Sequence, residues 1–233
     1  IVHDSDPEEE YAESIAKASV TKMRSTLFQI LETMLWEPEK GYFILPYHIR
    51  RMKQTAMYFD YSLDETRLKK MLHSFKPQNP ELPCKIRILL SKTGQITFES
   101  YPILQANALE RNQAVLAKTP VSQDNVFLYH KTTAREVYTS HLNENPDADD
   151  VLLWNERNEL TESCSSNIVV ERNDRKFTPP VQCGLLGGTY RAWLLDKNEI
   201  EEKIINKNEL FQFDAIYLIN SVRQWQQVTL LSK

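Results

Sequence analysis

Apolar and polar positions divide the chain into short elements of mixed type. Residues 5–22 read as a helix, with Asp6 as cap, Pro7 at the first helical position and Glu8, Glu9 and Glu10 at the positive dipole end. Thr26–Trp36 predicts a strand, Pro38–Gly41 a turn, and Tyr42–Leu45 a second short strand. From Pro46 the apolar residues Ile49, Met52, Ala56 and Phe59 recur on one helical face. Ser62-Leu-Asp-Glu65 has the spacing of a capping box, and the helix it opens carries Leu68, Met71, Leu72 and Phe75. The proline-rich stretch Pro77–Pro83 ends that pattern, and Lys85–Ser91 with Gln95–Tyr101 predicts a hairpin around Lys92-Thr-Gly94.

The segment from about 102 to 125 reads as a crossover and linker. Val126–Tyr129 is strand-like and gives way to a helix over Thr132–Leu142. Val151–Asn155 and Leu160–Glu162 flank a polar turn, Ile168–Arg172 and Lys176–Thr178 form another hairpin, and Ala215–Asn220 is a buried strand. Hairpins outnumber βαβ units, so the pattern predicts an α/β (α+β) chain of two mixed halves divided near residue 110, not one doubly wound sheet.

Composition narrows the function classes. The 28 Lys and Arg against 32 Asp and Glu give a formal charge of −4, the wrong sign for a general binder of nucleic acid or anionic membranes. No apolar run approaches the roughly 20 residues of a membrane span, and the odd number of cysteines reads as reduced thiols in a cytoplasmic protein. Cys84, Cys164 and Cys183 are odd in number and lack zinc-site spacing, and the five histidines form no ligand pattern, so no metal is expected. A start at Ile1-Val-His-Asp suggests a piece of something longer.

Three of the five glycines, Gly184, Gly187 and Gly188, fall directly ahead of the helix-like run Thr189–Leu195. Glycine lets the main chain approach a ligand closely, and a helix N-terminus aims unpaired N–H groups at an anion, most often phosphate. The glycines alone favour a tight turn with no ligand, since short glycine motifs often match by accident. Lys131, in Tyr129-His-Lys-Thr-Thr133, stands where the strand-like stretch meets the predicted helix, a poor position for a decorative cation. Held beside apolar neighbours, a lysine becomes a usable amine nucleophile. Glu162 closes an apolar strand and precedes small hydroxyl residues, while Arg51 and Ser221 say little singly. A Schiff-base lysine, an acid for a pyridine nitrogen and a glycine–helix phosphate cup are together what pyridoxal phosphate needs.

At this point the chain resembles the fold-type IV pyridoxal-phosphate enzymes, which include aminodeoxychorismate lyase and the branched-chain and D-amino-acid aminotransferases. The resemblance is carried by Leu31-Glu-Thr-Met-Leu-Trp36, His48-Ile-Arg-Arg-Met52, Tyr129-His-Lys-Thr-Thr133, Leu160-Thr-Glu162, Gly184-Leu-Leu-Gly-Gly-Thr-Tyr-Arg191 and Asn220-Ser-Val-Arg223, in order. It is closest to the lyase domain fused behind aminodeoxychorismate synthase component I. It implies two mixed α/β domains, a small one over residues 25–108 and a larger one over 109–233, with the cofactor at their junction and residues 1–24 as the tail of a synthase module. It implies Lys131 as the lysine that carries the cofactor and moves protons, and Glu162 as partner of the pyridine nitrogen. Arg51, Ser221 and the backbone at Thr189 and Tyr190 would bind the phosphate, with Asn167 in support. Gly187 stands where the family usually has proline, and Gln224 where it commonly has glycine. The implied activity is elimination of pyruvate from 4-amino-4-deoxychorismate to give 4-aminobenzoate, in a homodimer. An aminotransferase of the same fold and a non-catalytic partner domain of the synthase are the alternatives, with Arg87 and Arg223 as candidate carboxylate contacts.

Overall fold

The computed structural model describes residues 28–103 and 112–231. The predicted helix at 5–22, the start of the first predicted strand and the division near residue 110 lie outside them. The first sheet runs β2-β1-β3-β4, from β1 (Ile30–Glu37), β2 (Gly41–Tyr42), β3 (Cys84–Leu90) and β4 (Ile96–Pro102). Strand alternation sends Ile30, Met34, Ile86, Ile88 and Leu90 to one face, where Met52 and Ala56 of α1 (Leu45–Tyr58) and Leu68 and Leu72 of α2 (Glu65–Ser74) complete a core. Glu32 lies on this same buried face. The opposite face carries Thr33, Lys85 and Arg87.

The second sheet has eight strands in the order β10-β9-β8-β11-β12-β5-β6-β7. Their bounds are β5 (Gln113–Leu116), β6 (Asp150–Trp154), β7 (Leu160–Ser163), β8 (Asn167–Arg172), β9 (Arg175–Thr178), β10 (Glu201–Glu202), β11 (Ala215–Asn220) and β12 (Gln224–Leu230). A further pairing of β7 with β8, at Glu162 opposite Asn167, closes six of these strands on themselves. Ile168, Val170, Ile216 and Leu218 fill its interior, while Val169 and Ile219 alternate to the other face and pack with Tyr190 and Leu194. Two helices complete the described residues: α3 (Glu136–Asn143), which packs on β6, and α4 (Thr189–Asp196), which packs on β11 and touches α1.

Five local expectations are corrected. The 62–65 signature does open a helix, but its cap is Asp64, whose side chain accepts from the Arg67 N–H at 2.8 Å. The second strand stops at Tyr42, because Ile44 takes φ +46° and α1 starts at Leu45. Val126–Leu128 is a 3-10 turn rather than a strand, and α3 starts at Glu136, not Thr132. Lys131 therefore sits in an extended connection and not at a helix N-terminus. The "linker" also contains β5, whose four residues are too few to show a period. Among the described residues no helix is long and apolar enough to cross a membrane.

Candidate active site

A cavity of ≈ 570 Å³ opens between the two sheets, and Arg51, Lys131, Glu162, Asn167, Thr189, Tyr190 and Ser221 all border it; of the three clustered glycines only Gly188 does. The Ser221 hydroxyl ties its walls together by donating to the Thr33 carbonyl at 3.0 Å. β1 also holds the Lys131 segment: the Leu31 N–H donates to the Lys131 carbonyl at 3.0 Å and the Thr133 N–H to the Gln29 carbonyl at 2.9 Å. These are backbone bonds, so the lysine side chain projects into the cavity without being needed to anchor its own loop. Burial pushes its amine down to about 8, with the charge of Arg51 acting in the same direction and Glu32 opposing. An amine so placed is partly unprotonated near neutrality.

Glu162 lies at the β7–β8 closure and is 4% exposed. The Tyr138 hydroxyl donates to its Oε1 at 2.7 Å, and the Asn167 amide approaches Oε2 at 3.5 Å. Burial pushes the carboxyl up to about 7, against the Tyr138 bond, the Leu186 backbone and the charges of Lys131 and Arg135. No ion pair of Glu162 forms among the described residues. A buried carboxylate without a cation is an incomplete site, because burial alone disfavours the charge.

Arg51 comes from α1 and is clamped from behind. Its Nε and one terminal nitrogen donate to the two oxygens of Glu32 at 2.8 and 2.7 Å, and His48 Nδ1 is 2.7 Å from Glu32 Oε2. Burial would raise the Glu32 carboxyl, but Arg51 and His48 outweigh it and hold it down at about 2. The other terminal nitrogen of Arg51 reaches toward the Gly187 carbonyl at 3.4 Å. His48 Nε2 stands 3.4 Å from the Thr189 hydroxyl, so the network ends at the start of α4. Glu32 was within a motif that carries the resemblance, yet the sequence assigned it no role. A glutamate between apolar strand residues was the available signal, since a charge on a core-facing position needs a partner.

The start of α4 is an open donor site. Gly188 is its N-cap, no side chain caps it, and Thr189 and Tyr190 follow as its first residues. The reason for glycine at 188 is close approach: an added Cβ would lie 1.8 Å from Asn167 Oδ1. Asn167 in turn donates to the Leu186 carbonyl at 2.8 Å, bracing the loop against β8. Gly184 takes φ +97°, whereas Gly187 has ordinary backbone and open space, its added Cβ meeting only Val181 at 3.9 Å. Gly188→Ala is therefore expected to displace Asn167 and weaken phosphate binding roughly tenfold or more, while Gly187→Ala leaves it unchanged. Titration of both variants with inorganic phosphate, followed by calorimetry, checks the contrast. Gln224, where a glycine was expected, takes φ +57° at the β11–β12 turn, a conformation that strains a side-chain-bearing residue.

These parts suit pyridoxal phosphate. The orphan carboxylate lacks the cation that a protonated ring nitrogen provides, the uncapped helix start and Arg51 suit a phosphate, and the buried amine suits an aldehyde. Lys85 and Arg87, two residues apart on β3, also line the cavity, together with Arg223. Arg87 is paired with Glu99 at 2.7 Å, and the Lys85 ammonium lies over the Tyr101 ring.

The amino-transferase class IV family model matches residues 29–231, and the chain belongs to this family. A Schizosaccharomyces pombe protein named "Putative aminodeoxychorismate lyase" is 32% identical over 210 residues, 84% of this chain and 86% of that one. The crystal structure of a "Putative amino-acid aminotransferase" from Mesorhizobium loti superposes with a TM-score of 0.81 at 30% identity, covering 88% of this chain and all of that one, 100%. A PLP-bound "hypothetical aminotransferase" from Mycobacterium tuberculosis shares the fold at a TM-score of 0.72 and 18% identity, over 87% of this chain and 80% of its own. The architecture is thus the fold-type IV one.

Proposed function

We propose that this chain is a pyridoxal-phosphate-dependent lyase that converts 4-amino-4-deoxychorismate to 4-aminobenzoate and pyruvate. The observation that carries the reading is the distribution of cations around one cavity. Beside Lys131, Arg51 and the α4 start, which suit the cofactor, the cavity is lined by three further cations, Lys85, Arg87 and Arg223. Aminodeoxychorismate has two carboxylates, one on the ring and one on the enolpyruvyl group, and cations from both sheets give each a partner. The likeness to the S. pombe protein supports the same choice.

In this reading Arg51, Ser221 and the backbone of Thr189 and Tyr190 hold the phosphate, Asn167 braces the loop and Glu162 faces the ring nitrogen. When bound, pyridoxal phosphate supplies an aldehyde for the substrate amine and a ring that accepts an electron pair. Lys131 removes the proton from the amine-bearing ring carbon. The bond from the neighbouring carbon to the enolpyruvyl oxygen breaks, the ring becomes aromatic, and Lys131 or a water protonates the leaving fragment to pyruvate. Glu162 keeps its negative charge beside the ring, which holds the nitrogen protonated. A cytoplasmic homodimer working with synthase component I belongs to the same proposal, and sedimentation of the purified protein tests the dimer.

The M. loti likeness favours a second reading, an amino-acid aminotransferase. The two differ in stoichiometry. A lyase releases one pyruvate per 4-aminobenzoate with no keto acid added, and coupling to lactate dehydrogenase reads that release directly. Turnover that requires 2-oxoglutarate and forms no 4-aminobenzoate overturns the lyase.

A further inference from the structure

Tyr138 has no part in the phosphate cup or the lysine chemistry, yet it is 6% exposed and its hydroxyl ends on a carboxylate. We propose that Tyr138 is a positioning residue that keeps Glu162 ionised and aimed at the cofactor's ring nitrogen. The inference rests on the reading that Glu162 faces that nitrogen, and it names the group that makes this possible.

The geometry carries the argument. Glu162 has two oxygens, and Tyr138 takes Oε1 at 2.7 Å, a short bond of the charge-assisted kind. Burial and the neighbouring carboxylate keep the phenol protonated far above its ordinary range, so the hydroxyl is the donor and Glu162 the acceptor. Oε2 has the long 3.5 Å approach of the Asn167 amide, the Leu186 backbone also favours the charged carboxylate, and no cation is paired with it among the described residues.

Tyr138 is itself fixed from two sides. The Arg135 guanidinium lies over its ring at 4.6 Å and donates to the Cys164 carbonyl at 2.5 Å. The Cys164 thiol donates back to the Tyr138 carbonyl at 3.5 Å, which ties α3 to the β7–β8 turn that presents Glu162. Lys131 on its loop, Arg135 and Tyr138 on the α3 side, and Cys164 on the turn are the titratable groups around Glu162. The two cations, the Leu186 backbone and the phenol all favour its ionised form, and among the side chains of the described residues Tyr138 makes the short bond to it. Without that bond, burial would leave the carboxyl neutral across the physiological range, and a neutral acid cannot hold a ring nitrogen protonated.

The test begins with the protein free of cofactor. Infrared spectroscopy with ¹³C-labelled glutamate reports the carboxylic C=O band of Glu162, identified by its absence in Glu162→Gln. The band is expected to appear as pH falls through about 7. In Tyr138→Phe its midpoint should move up by about one to two pH units, the shift expected for one lost hydrogen bond to a charge. An unmoved midpoint in a folded Tyr138→Phe protein overturns the proposal. Should that variant fail to fold, 3-fluorotyrosine at 138 keeps the ring and makes a stronger donor, and the midpoint must then move down.

Titration with pyridoxal phosphate separates this inference from the reading beneath it. Tyr138→Phe is expected to bind it roughly tenfold more weakly at neutral pH and to recover as the pH is raised past the new midpoint. A shifted band with wild-type cofactor binding at every pH overturns the contact between Glu162 and the ring nitrogen instead, and with it the role of Tyr138 at the cofactor.

Discussion

Lys131→Ala is expected to abolish turnover while leaving the protein folded. Loss of a positioned proton-transfer group alone lowers a rate by roughly 10²–10⁴-fold, and loss of the covalent attachment adds to it. The fold should survive because the bond that pins this loop to β1 uses the Lys131 carbonyl, not its amine. Burial lowers the amine's folded pKa from 10.5 to about 8, which means the charged form is less stable inside than in the unfolded chain. Removing it should therefore leave the melting temperature equal to or above that of the parent at neutral pH. Borohydride reduction of the cofactor-loaded parent, followed by peptide mapping, should fix the cofactor on the peptide containing Lys131. Attachment at any other lysine refutes the assignment, as does substantial turnover by the alanine protein.

Lys131 lines the cavity, but the helix start that singled it out in the sequence is not there in the fold. A helix start was read after Tyr129 because Thr132–Leu142 has helical spacing, and the unfavourable dipole then marked the lysine as unusual. The helix begins four residues later, at Glu136, because residues 131–133 are drawn into an antiparallel bridge with β1. Desolvation in the cavity, not a dipole, depresses the amine. The glycine cluster was legible because its cause is local: Gly188 caps α4, and closeness to Asn167 forbids a side chain there. Glu32 was not legible as a site residue. Its partners His48 and Arg51 lie on another element, and only the packing of α1 against β1 brings the three together. Tyr138 was equally hidden, since at helical spacing an aromatic residue reads as core, and here it is both core and hydrogen-bond donor. β5 and β12 escaped notice because one is four residues long and the other, Gln-Trp-Gln-Gln-Val-Thr-Leu, carries polar residues on a partly exposed strand.

Arg51→Ala should produce the second large effect, on two quantities that can be separated. The first is cofactor affinity. A charged hydrogen bond to phosphate contributes roughly 1.5–3 kcal/mol, so pyridoxal phosphate should bind about ten- to hundredfold more weakly. Arg50→Ala, one residue away, should change little, because Arg50 lies over the Tyr47 ring and outside the cavity lining. The second quantity is stability. Glu32 is 1% exposed, and removing its arginine leaves a buried carboxylate with His48 alone, at a cost of about 3–5 kcal/mol. In the parent, Glu32 has a folded pKa of about 2 against an ordinary 4.5. Its contribution is therefore complete above pH 4.5 and is lost as pH falls toward 2. Arg51→Ala should erase much of that acid-side slope. Removing both partners in Glu32→Met/Arg51→Met takes away the charge that needed compensation, so most of the stability should return while phosphate affinity stays low. Chemical denaturation at several pH values, run beside cofactor titration, reads both. If the double variant regains tight cofactor binding along with stability, Arg51 supports the fold and does not touch the phosphate.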